Sequence, residues 1–198
     1  EMCIRDSPSR FIFNWHQLST TTAKTVQSKH LFESYCASQG VKVKEYVTDN
    51  HLFHGAEWKS NCEIQNQLRH FSGVRAHHQI LVERYIQTIF NMSRSMMIHF
   101  AMHWPQAADT NLWPFAVDQA IYIWNRIPDI KTRLAPSNLF ASLLHFGNND
   151  LQRLHVFGCP CYVLDAKLQD GKKVPKWSRW SRRAIYLGVS KVHSSTVH

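Results

Sequence analysis

Alternating hydrophobic residues near the beginning of the chain predict a β-strand. Residues 10–18 are rich in Phe, Ile and Trp, which favour the pleated, half-buried surface of a sheet. The alternation predicts that Phe11, Phe13 and Trp15 lie on one face of this strand.

A helix is expected to follow the strand. Residues 19–22 offer several Ser and Thr side chains that can cap a helix amino terminus, and the helical pattern continues to about Ser38. Gly40 is placed to end this helix, because glycine readily adopts the left-handed conformation found after a helix. The residues expected to contact the core are Val26, Leu31, Phe32, Tyr35 and Cys36.

The middle of the chain changes from an extended to a helical pattern. Residues 41–47 predict a second strand, which places Asp49 just beyond its carboxyl end. Residues 56–70 are polar and compatible with a helix, and residues 72–79 form a glycine-containing connection. A long helix is expected from Val82 onward. The residues predicted to form its buried side are Tyr85, Ile86, Ile89, Phe90, Met96, Met97 and Phe100.

The second half of the chain predicts two helices and then strands. Residues 112–125 are almost wholly apolar, so this helix is expected to be well buried up to the break at Pro128. A shorter helix is expected within residues 133–147, with Pro136 near its start. Strand segments are then expected at residues 155–158, 161–164 and 183–188.

The composition favours a folded protein with a polyanionic partner. The 198 residues suit one domain, or one domain with a small appendage, and the 44% hydrophobic content argues against a wholly disordered chain. The formal charge is +9, and Lys and Arg that neutralise phosphates gain affinity from the counterions that they release. The same composition is also compatible with a basic protein that has no polyanionic partner. Neither a signal peptide nor an apolar run long enough for a membrane span is present.

Cysteine and histidine usage does not indicate a structural metal site. The five cysteines are an odd number, and the segment Cys159-Pro160-Cys161 is too short for an ordinary disulfide. Reduced thiols in an intracellular protein are therefore expected. His51, His54 and Cys62 could be drawn as zinc ligands, but a fourth ligand with suitable spacing is missing.

Asp49 and Glu83 are candidate metal ligands. The elements between them can bring a strand end and a helix start together, and paired carboxylates favour a hard divalent cation such as Mg²⁺. Glu83 is expected in the first turn of its helix, where the helix dipole favours the ionised carboxylate. Two carboxylates that lie separately on the surface could have the same spacing. The pair alone is therefore compatible with a metal site and with two unrelated surface residues.

Several short motifs together resemble the integrase of copia-type retrotransposons. Around the candidate carboxylates these are Thr48-Asp49-Asn50, Gly73-Val74-Arg75-Ala76-His77-His78-Gln79 and Val82-Glu83-Arg84. Elsewhere they are Asp6-Ser7-Pro8-Ser9-Arg10-Phe11, Leu112-Trp113-Pro114, Asn125-Arg126-Ile127-Pro128 and Val156-Phe157-Gly158-Cys159. The resemblance covers nearly the whole chain and depends on the combination of motifs.

The resemblance implies an α/β, ribonuclease H-like fold with a five-stranded mixed sheet flanked by helices. It also implies an Asp, Asp, Glu triad, at Asp6, Asp49 and Glu83 in this sequence, that binds two Mg²⁺ or Mn²⁺ ions. The implied activity is the processing of DNA 3′ ends and strand transfer by in-line displacement at phosphorus, with the carboxylates as metal ligands.

The implied partners are double-stranded DNA, as element ends and as target, and further copies of the chain in a homo-oligomer. Candidate DNA contacts are Arg84, Lys172, Lys173, Lys176 and Arg179, the last four in a loop that also contains tryptophans. Arg84 could instead belong to a solvated helical face, and the tryptophans of the loop could instead cover a small β core. The family resemblance further implies a location in the nucleus or a virus-like particle, without a membrane.

The resemblance divides the chain into three parts. Residues 1–7 resemble a translated sequencing adapter, although Asp6 stands at the register of the family's first aspartate. Residues 8–147 are expected to form the catalytic core without most of its first strand. Residues 148–198 are expected to form part of a small β-barrel-like domain.

Two departures from the family leave alternatives open. His51 stands where the family usually has Gly, and residues 79–83 are one position short and lack an Asn-Gly pair. Because phosphoryl transfer tolerates little misplacement of its ligands, a decayed or co-opted copy that binds DNA without catalysis is the alternative function. A ribonuclease H-like nuclease unrelated to transposition is a third possibility, which the barrel-like segment disfavours.

Overall fold

The structure is a computed structural model that describes residues 2–6, 8–48, 53, 55–71, 77–141, 151–152 and 154–190. It divides into two units. The first unit comprises Glu1–Phe90 and Ile121–Asn149, and the second comprises Asn91–Ala120 and Asp150–His198. The domain boundaries expected from the resemblance stay a prediction.

The first unit begins with an antiparallel hairpin. Strand β1 (Met2–Arg5) pairs with strand β2 (Ile12–Trp15), and Arg5 lies opposite Ile12. A strand therefore precedes Asp6, within the segment that resembles an adapter.

Asn125 binds the backbone of β2 at Ile12. Its side-chain Oδ1 accepts a hydrogen bond from the Ile12 N–H (2.9 Å), and its Nδ2 donates to the Ile12 carbonyl (2.7 Å). Ile12 and Asn14 are the most buried residues of the strand, and Trp15 is 41% exposed. Phe13 and Trp15 lie two positions apart in β2 and therefore on one face, as predicted, and Phe11 immediately precedes the strand. Of the three, Phe11 and Phe13 belong to the aromatic core.

The first helix confirms the sequence prediction. Helix α1 covers Thr22–Ser38. Gly40 follows it with φ +71°, and the Val41 N–H donates to the Cys36 carbonyl (2.8 Å), a bond typical of a glycine-terminated helix. Of the residues expected in the core, Val26, Phe32 and Cys36 are buried and Tyr35 packs against them.

A strand, a helix and a second strand follow. Strand β3 (Glu45–Thr48) pairs in parallel with strand β4 (Leu68–Phe71), and helix α2 (Ala56–Ile64) connects them. The prediction that the helix extends to residue 70 is wrong. The helix ends because Asn66 adopts a left-handed conformation (φ +52°), after which the chain becomes extended.

One aromatic core joins the hairpin to the parallel strands in the first unit. Residues of this core include Phe11, Tyr46, Trp58 and Phe140. Phe140 belongs to helix α5 (Pro136–Phe140), whose amino-terminal Pro136 was predicted. Among the described residues, β1–β2 and β3–β4 form separate two-stranded sheets, so the five-stranded sheet implied by the resemblance is not formed there.

Two long helices contribute residues to both units. Helix α3 covers His77–His103 and begins five residues before the predicted start at Val82, within the segment predicted to be a connection. Helix α4 covers Trp113–Trp124, close to the predicted range of residues 112–125. Ile89 and Phe100 of α3 are buried, but Phe90 is 44% exposed, which corrects its assignment to the buried side. None of the helices in the described ranges has both the length and the apolar character needed to cross a membrane.

The second unit ends in an antiparallel hairpin. Strand β5 (Pro160–Leu164) pairs with strand β6 (Ser181–Ile185), and helix α6 (Ala166–Gln169) lies between them in the chain. The predicted strand at residues 155–158 is wrong, because Gly158 has φ +81° and cannot continue an extended segment. Gly158 lies against Phe100, which forms a core with Ala116 and Phe157.

We predict that Gly158→Ala destabilises the chain more than Gly171→Ala does. Both glycines have positive φ, so alanine costs about 1–2 kcal/mol at either position. A Cβ at Gly158 would lie 2.4 Å from Phe100 Cδ2, whereas nothing lies within 4 Å at Gly171. The additional cost of overpacking is about 1–3 kcal/mol.

Urea denaturation of the two variants measures this difference. Equal losses of stability would contradict the close contact between Gly158 and Phe100. A shorter side chain in the double variant Gly158→Ala with Phe100→Leu should recover part of the additional cost.

Candidate functional site

The parallel strands end together at one edge of their sheet. Thr48 of β3 lies opposite Phe71 of β4, so both carboxyl ends are in register. Ligands of α/β proteins commonly bind beyond the carboxyl ends of parallel strands. Asp49 follows Thr48 in the chain but lies outside the described residues, so its role stays a prediction.

Asp6 occupies the turn of the first hairpin. Its Oδ2 accepts hydrogen bonds from the N–H (2.9 Å) and the hydroxyl (2.5 Å) of Ser9. Its backbone also closes the turn, since its N–H donates to the Phe11 carbonyl and its carbonyl accepts from the Arg10 N–H. Asp6 therefore stabilises the turn, while no described residue donates a hydrogen bond to Oδ1.

Glu83 lies on the exposed side of α3. The helix begins at His77, so Glu83 lies in the second turn, and the prediction that it occupies the first turn is wrong. The helix dipole acts mainly within the first turn and gives Glu83 little stabilisation. In the described part of the chain, the Glu83 carboxylate has no hydrogen-bond or ion-pair partner.

The available oxygens fit a hard cation, but the described residues do not complete a site. Asp6 Oδ1 and the Glu83 carboxylate are the type of ligand that Mg²⁺ and Mn²⁺ prefer. No group of three His, Cys, Asp or Glu residues within the described ranges could hold a metal ion. Asp49, His51 and His54 lie outside those ranges, and Cys62 is fully buried. The triad stays a prediction.

A fully buried lysine lies behind the parallel strands. Lys29 of α1 has no solvent-exposed surface, and its Nζ lies 2.7 Å from both Glu33 Oε1 and Asn61 Oδ1. The ammonium group also lies over the rings of Tyr46 (5.4 Å) and Trp58 (5.9 Å), which gives it cation–π contacts. The lysine therefore connects α1 to α2 and β3.

Glu33 completes this buried network. Its Oε1 also accepts hydrogen bonds from the Tyr46 hydroxyl (3.1 Å) and from Gln67 Nε2 (2.5 Å). Burial opposes ionisation of Glu33, yet the hydrogen bonds from Lys29, Gln67 and Tyr46 and the Lys29 charge lower its pKa. Burial, together with the Glu33 charge, raises the pKa of Tyr46, which keeps the phenol protonated as a donor.

The sequence contained a signal for this network that the motif analysis missed. Lys29 lies three positions after Val26 and four before Glu33, on the side of α1 that the apolar pattern predicts to be buried. A lysine on such a side needs a charged partner, and Glu33 is one turn away.

The basic candidates of the second unit lie on an exposed loop between α6 and β6. Lys172, Lys173, Lys176 and Arg179 are all exposed. The neighbouring Trp177 and Trp180 are 91% and 64% exposed, so the interpretation that they cover a β core is wrong. Lys176 lies 5.6 Å from the Trp177 ring centroid, which places a cation beside an accessible aromatic face. Arg84, in the first unit, is also exposed.

Comparison of the sequence with protein-family models and with curated proteins finds no match. Among solved structures, the HTLV-2 integrase catalytic core domain in complex with magnesium gives a TM-score of 0.49 in its trimeric form, at 15% identity over 69% of this chain and 80% of that chain. Its dimeric form gives 0.46, at 15% identity over 69% and 79% of the two chains.

A chain of the simian T-cell lymphotropic virus intasome, solved by cryo-EM in complex with PP2A regulatory subunit B56 gamma, is similar over more of the sequence. The TM-score is 0.52, at 15% identity over 93% of this chain and 60% of that chain. At 15% identity, the similarity shows the fold alone. The chain has a mixed α/β fold that resembles the ribonuclease H-like integrase core, which confirms the predicted fold class.

We predict that Glu33→Gln destabilises the chain by about 3 kcal/mol at neutral pH, because it leaves the Lys29 charge buried without a counter-charge. A lowered carboxylate pKa contributes stability that is present above the usual value of 4.5 and is lost as the pH falls through the lowered value. The difference between wild type and variant should therefore shrink below about pH 4.5.

Glu63→Gln is the matched control for this measurement. Glu63 forms an ion pair of the same 2.7 Å length with Arg69, but its side chain is 67% exposed. Such surface pairs contribute about 0–1 kcal/mol. Denaturation curves at neutral and acidic pH would contradict the buried network if the two variants lost equal stability.

Proposed function

We propose that this chain is the catalytic core of a copia-type retroelement integrase, which processes DNA 3′ ends and transfers strands to target DNA. The similarity of the fold to an intasome chain is the observation that carries the proposal. The register of β3 and β4 supports it further, because the carboxyl ends of both strands coincide at Thr48, the residue before Asp49.

Asp49 and Glu83 are the proposed metal ligands, with Asp6 as the third. Asp6 would use Oδ1, since Oδ2 is engaged by Ser9. When bound, two Mg²⁺ or Mn²⁺ ions supply Lewis-acid activation of the attacking hydroxyl and charge stabilisation of the leaving oxygen. The carboxylates hold the ions without donating or accepting protons themselves, so their charge and position are what the reaction requires.

Double-stranded DNA is the proposed substrate, both as the element ends and as the target. Exposed Arg84 and the loop residues Lys172, Lys173, Lys176 and Arg179 supply positive charge for phosphates. The accessible ring of Trp177 suits stacking on unpaired bases. Assembly as a homo-oligomer in the nucleus or in a virus-like particle belongs to the same proposal.

A non-catalytic DNA-binding remnant is the second candidate function. The hydrogen bonds of Asp6 within the hairpin turn give this carboxylate a structural role that needs no metal. His51 and the short segment before Glu83 are the sequence features that favour this candidate. The first candidate function includes catalysis and the second does not, whereas both include DNA binding.

We predict that Asp49→Asn and Glu83→Gln each abolish Mg²⁺- or Mn²⁺-dependent strand transfer while leaving stability within about 0.5 kcal/mol of wild type. The loss follows from removing a charged metal ligand. Glu57→Gln, which neutralises an exposed carboxylate on α2, should retain full activity.

Oligonucleotide strand-transfer assays measure this effect. Activity retained by Asp49→Asn or by Glu83→Gln would contradict the assigned ligands. A wild-type chain that binds DNA without any strand transfer would instead favour the remnant.

We predict that replacing Lys172, Lys173 and Lys176 together by Gln weakens DNA binding and its dependence on salt. Each lysine that contacts a phosphate contributes about 0.9 to the slope of log affinity against log salt. The matched control replaces Lys24, Lys42 and Lys44, three exposed lysines of the first unit, by Gln. Fluorescence anisotropy at several salt concentrations distinguishes the two variants, and equal losses of slope would contradict the assigned loop.

A further inference from the structure

Two histidines lie one turn apart at the end of α3, in the second unit. His99 and His103 are both exposed, and their ring centroids are 4.2 Å apart with the ring planes tilted by 33°. Residues four positions apart lie on the same side of a helix, so the two imidazoles face the same volume of solvent. This pair has no role in the proposed integrase activity.

A hydrogen bond fixes the protonation of one imidazole. His103 Nδ1 lies 2.9 Å from the His99 carbonyl oxygen, which can only accept, so Nδ1 carries the proton and donates it. In a neutral imidazole this leaves the lone pair on Nε2. Metal-binding histidines commonly have their second ring nitrogen bonded to a carbonyl in the same way, which orients the ring and sets the tautomer.

The position on the helix favours a bound cation. His103 is the last residue of α3, where the unpaired backbone carbonyls form the negative end of the helix dipole. Phe100 and Trp104 line an apolar groove together with both histidines, which limits competition from water on one side.

Cys159 lines the same groove but is not assigned as a ligand. Burial and the neighbouring Cys161 raise the pKa of its thiol, so the thiol stays protonated at neutral pH. No three potential ligands in the described ranges are grouped for a metal. The described residues therefore supply two ligands to the proposed site, and water would fill the remaining positions.

We propose that His99 and His103 bind one divalent transition-metal ion of the zinc class through their Nε2 atoms. Imidazole suits such borderline ions and not Mg²⁺, so this site is chemically distinct from the carboxylate site. The bound ion connects two successive turns and stabilises the end of α3, because a ligand that binds only the folded state adds to its stability.

Calorimetric titration of the full chain with Zn²⁺ tests the proposal. His103→Gln and His99→Gln should each weaken binding at this site by about tenfold or more. His99→Gln keeps the carbonyl that His103 bonds to, so it separates loss of the ligand from loss of the hydrogen bond. Hydrogen exchange in the last turn of α3 should slow with Zn²⁺ in the wild type only.

A spacing variant controls for the number of histidines. Ala101→His combined with His103→Gln keeps 13 histidines but places the second one two positions from His99, on another side of the helix. This variant should bind as weakly as His103→Gln. The proposal would be overturned if the spacing variant, or both single variants, bound Zn²⁺ as tightly as the wild type. Loss of Zn²⁺ binding in Cys159→Ser would also overturn it.

Discussion

The charge of Lys29 is the constraint on which the first unit depends. An ammonium group with no exposed surface is costly unless other groups replace the water around it, and Glu33, Asn61, Tyr46 and Trp58 do so here. These partners come from α1, α2 and β3. The network can form only when all three elements are in place, and it therefore favours one arrangement of them. Gln67, which bonds to Glu33, extends the same requirement to the residue before β4.

This network lies beneath the strands that lead into the candidate site. Tyr46 belongs to β3, whose last residue Thr48 precedes Asp49, and Gln67 immediately precedes β4, which leads toward α3 and Glu83. A buried network held by several hydrogen bonds and an ion pair restricts the movement of its side chains, and metal-dependent chemistry requires ligands held within narrow limits. In the proposed function, these side chains would help to hold the metal ligands in place without touching metal or DNA. Asp6 differs, since its position is fixed by the hairpin turn that it closes.

Local signals made part of this fold predictable from the sequence. Gly40 ends α1, Pro136 begins α5, and an apolar run marks α4, since each of these signals depends on residues that are close in the chain. The parts of the fold that local signals did not predict depend on contacts and backbone conformations that form only in the folded chain. Asn125 bonds to the backbone of Ile12 from 113 positions away in the chain, and the left-handed Asn66 ends α2 before β4. Gly158 adopts positive φ where the pattern predicted a strand. The candidate carboxylates of the site were predictable from motifs in the sequence, but the hydrogen bond between Asp6 and Ser9 and the helical turn occupied by Glu83 depend on the folded structure.

Asp49 and Glu83 are proposed to share one metal site. Electron paramagnetic resonance of Mn²⁺ with wild type, Asp49→Asn, Glu83→Gln and the double variant measures their coupling directly. If the two carboxylates hold the same ion, each single substitution should remove most of the Mn²⁺ affinity and the double variant should lose little more. Independent, additive losses, or Mn²⁺ affinity unchanged by either substitution, would contradict it.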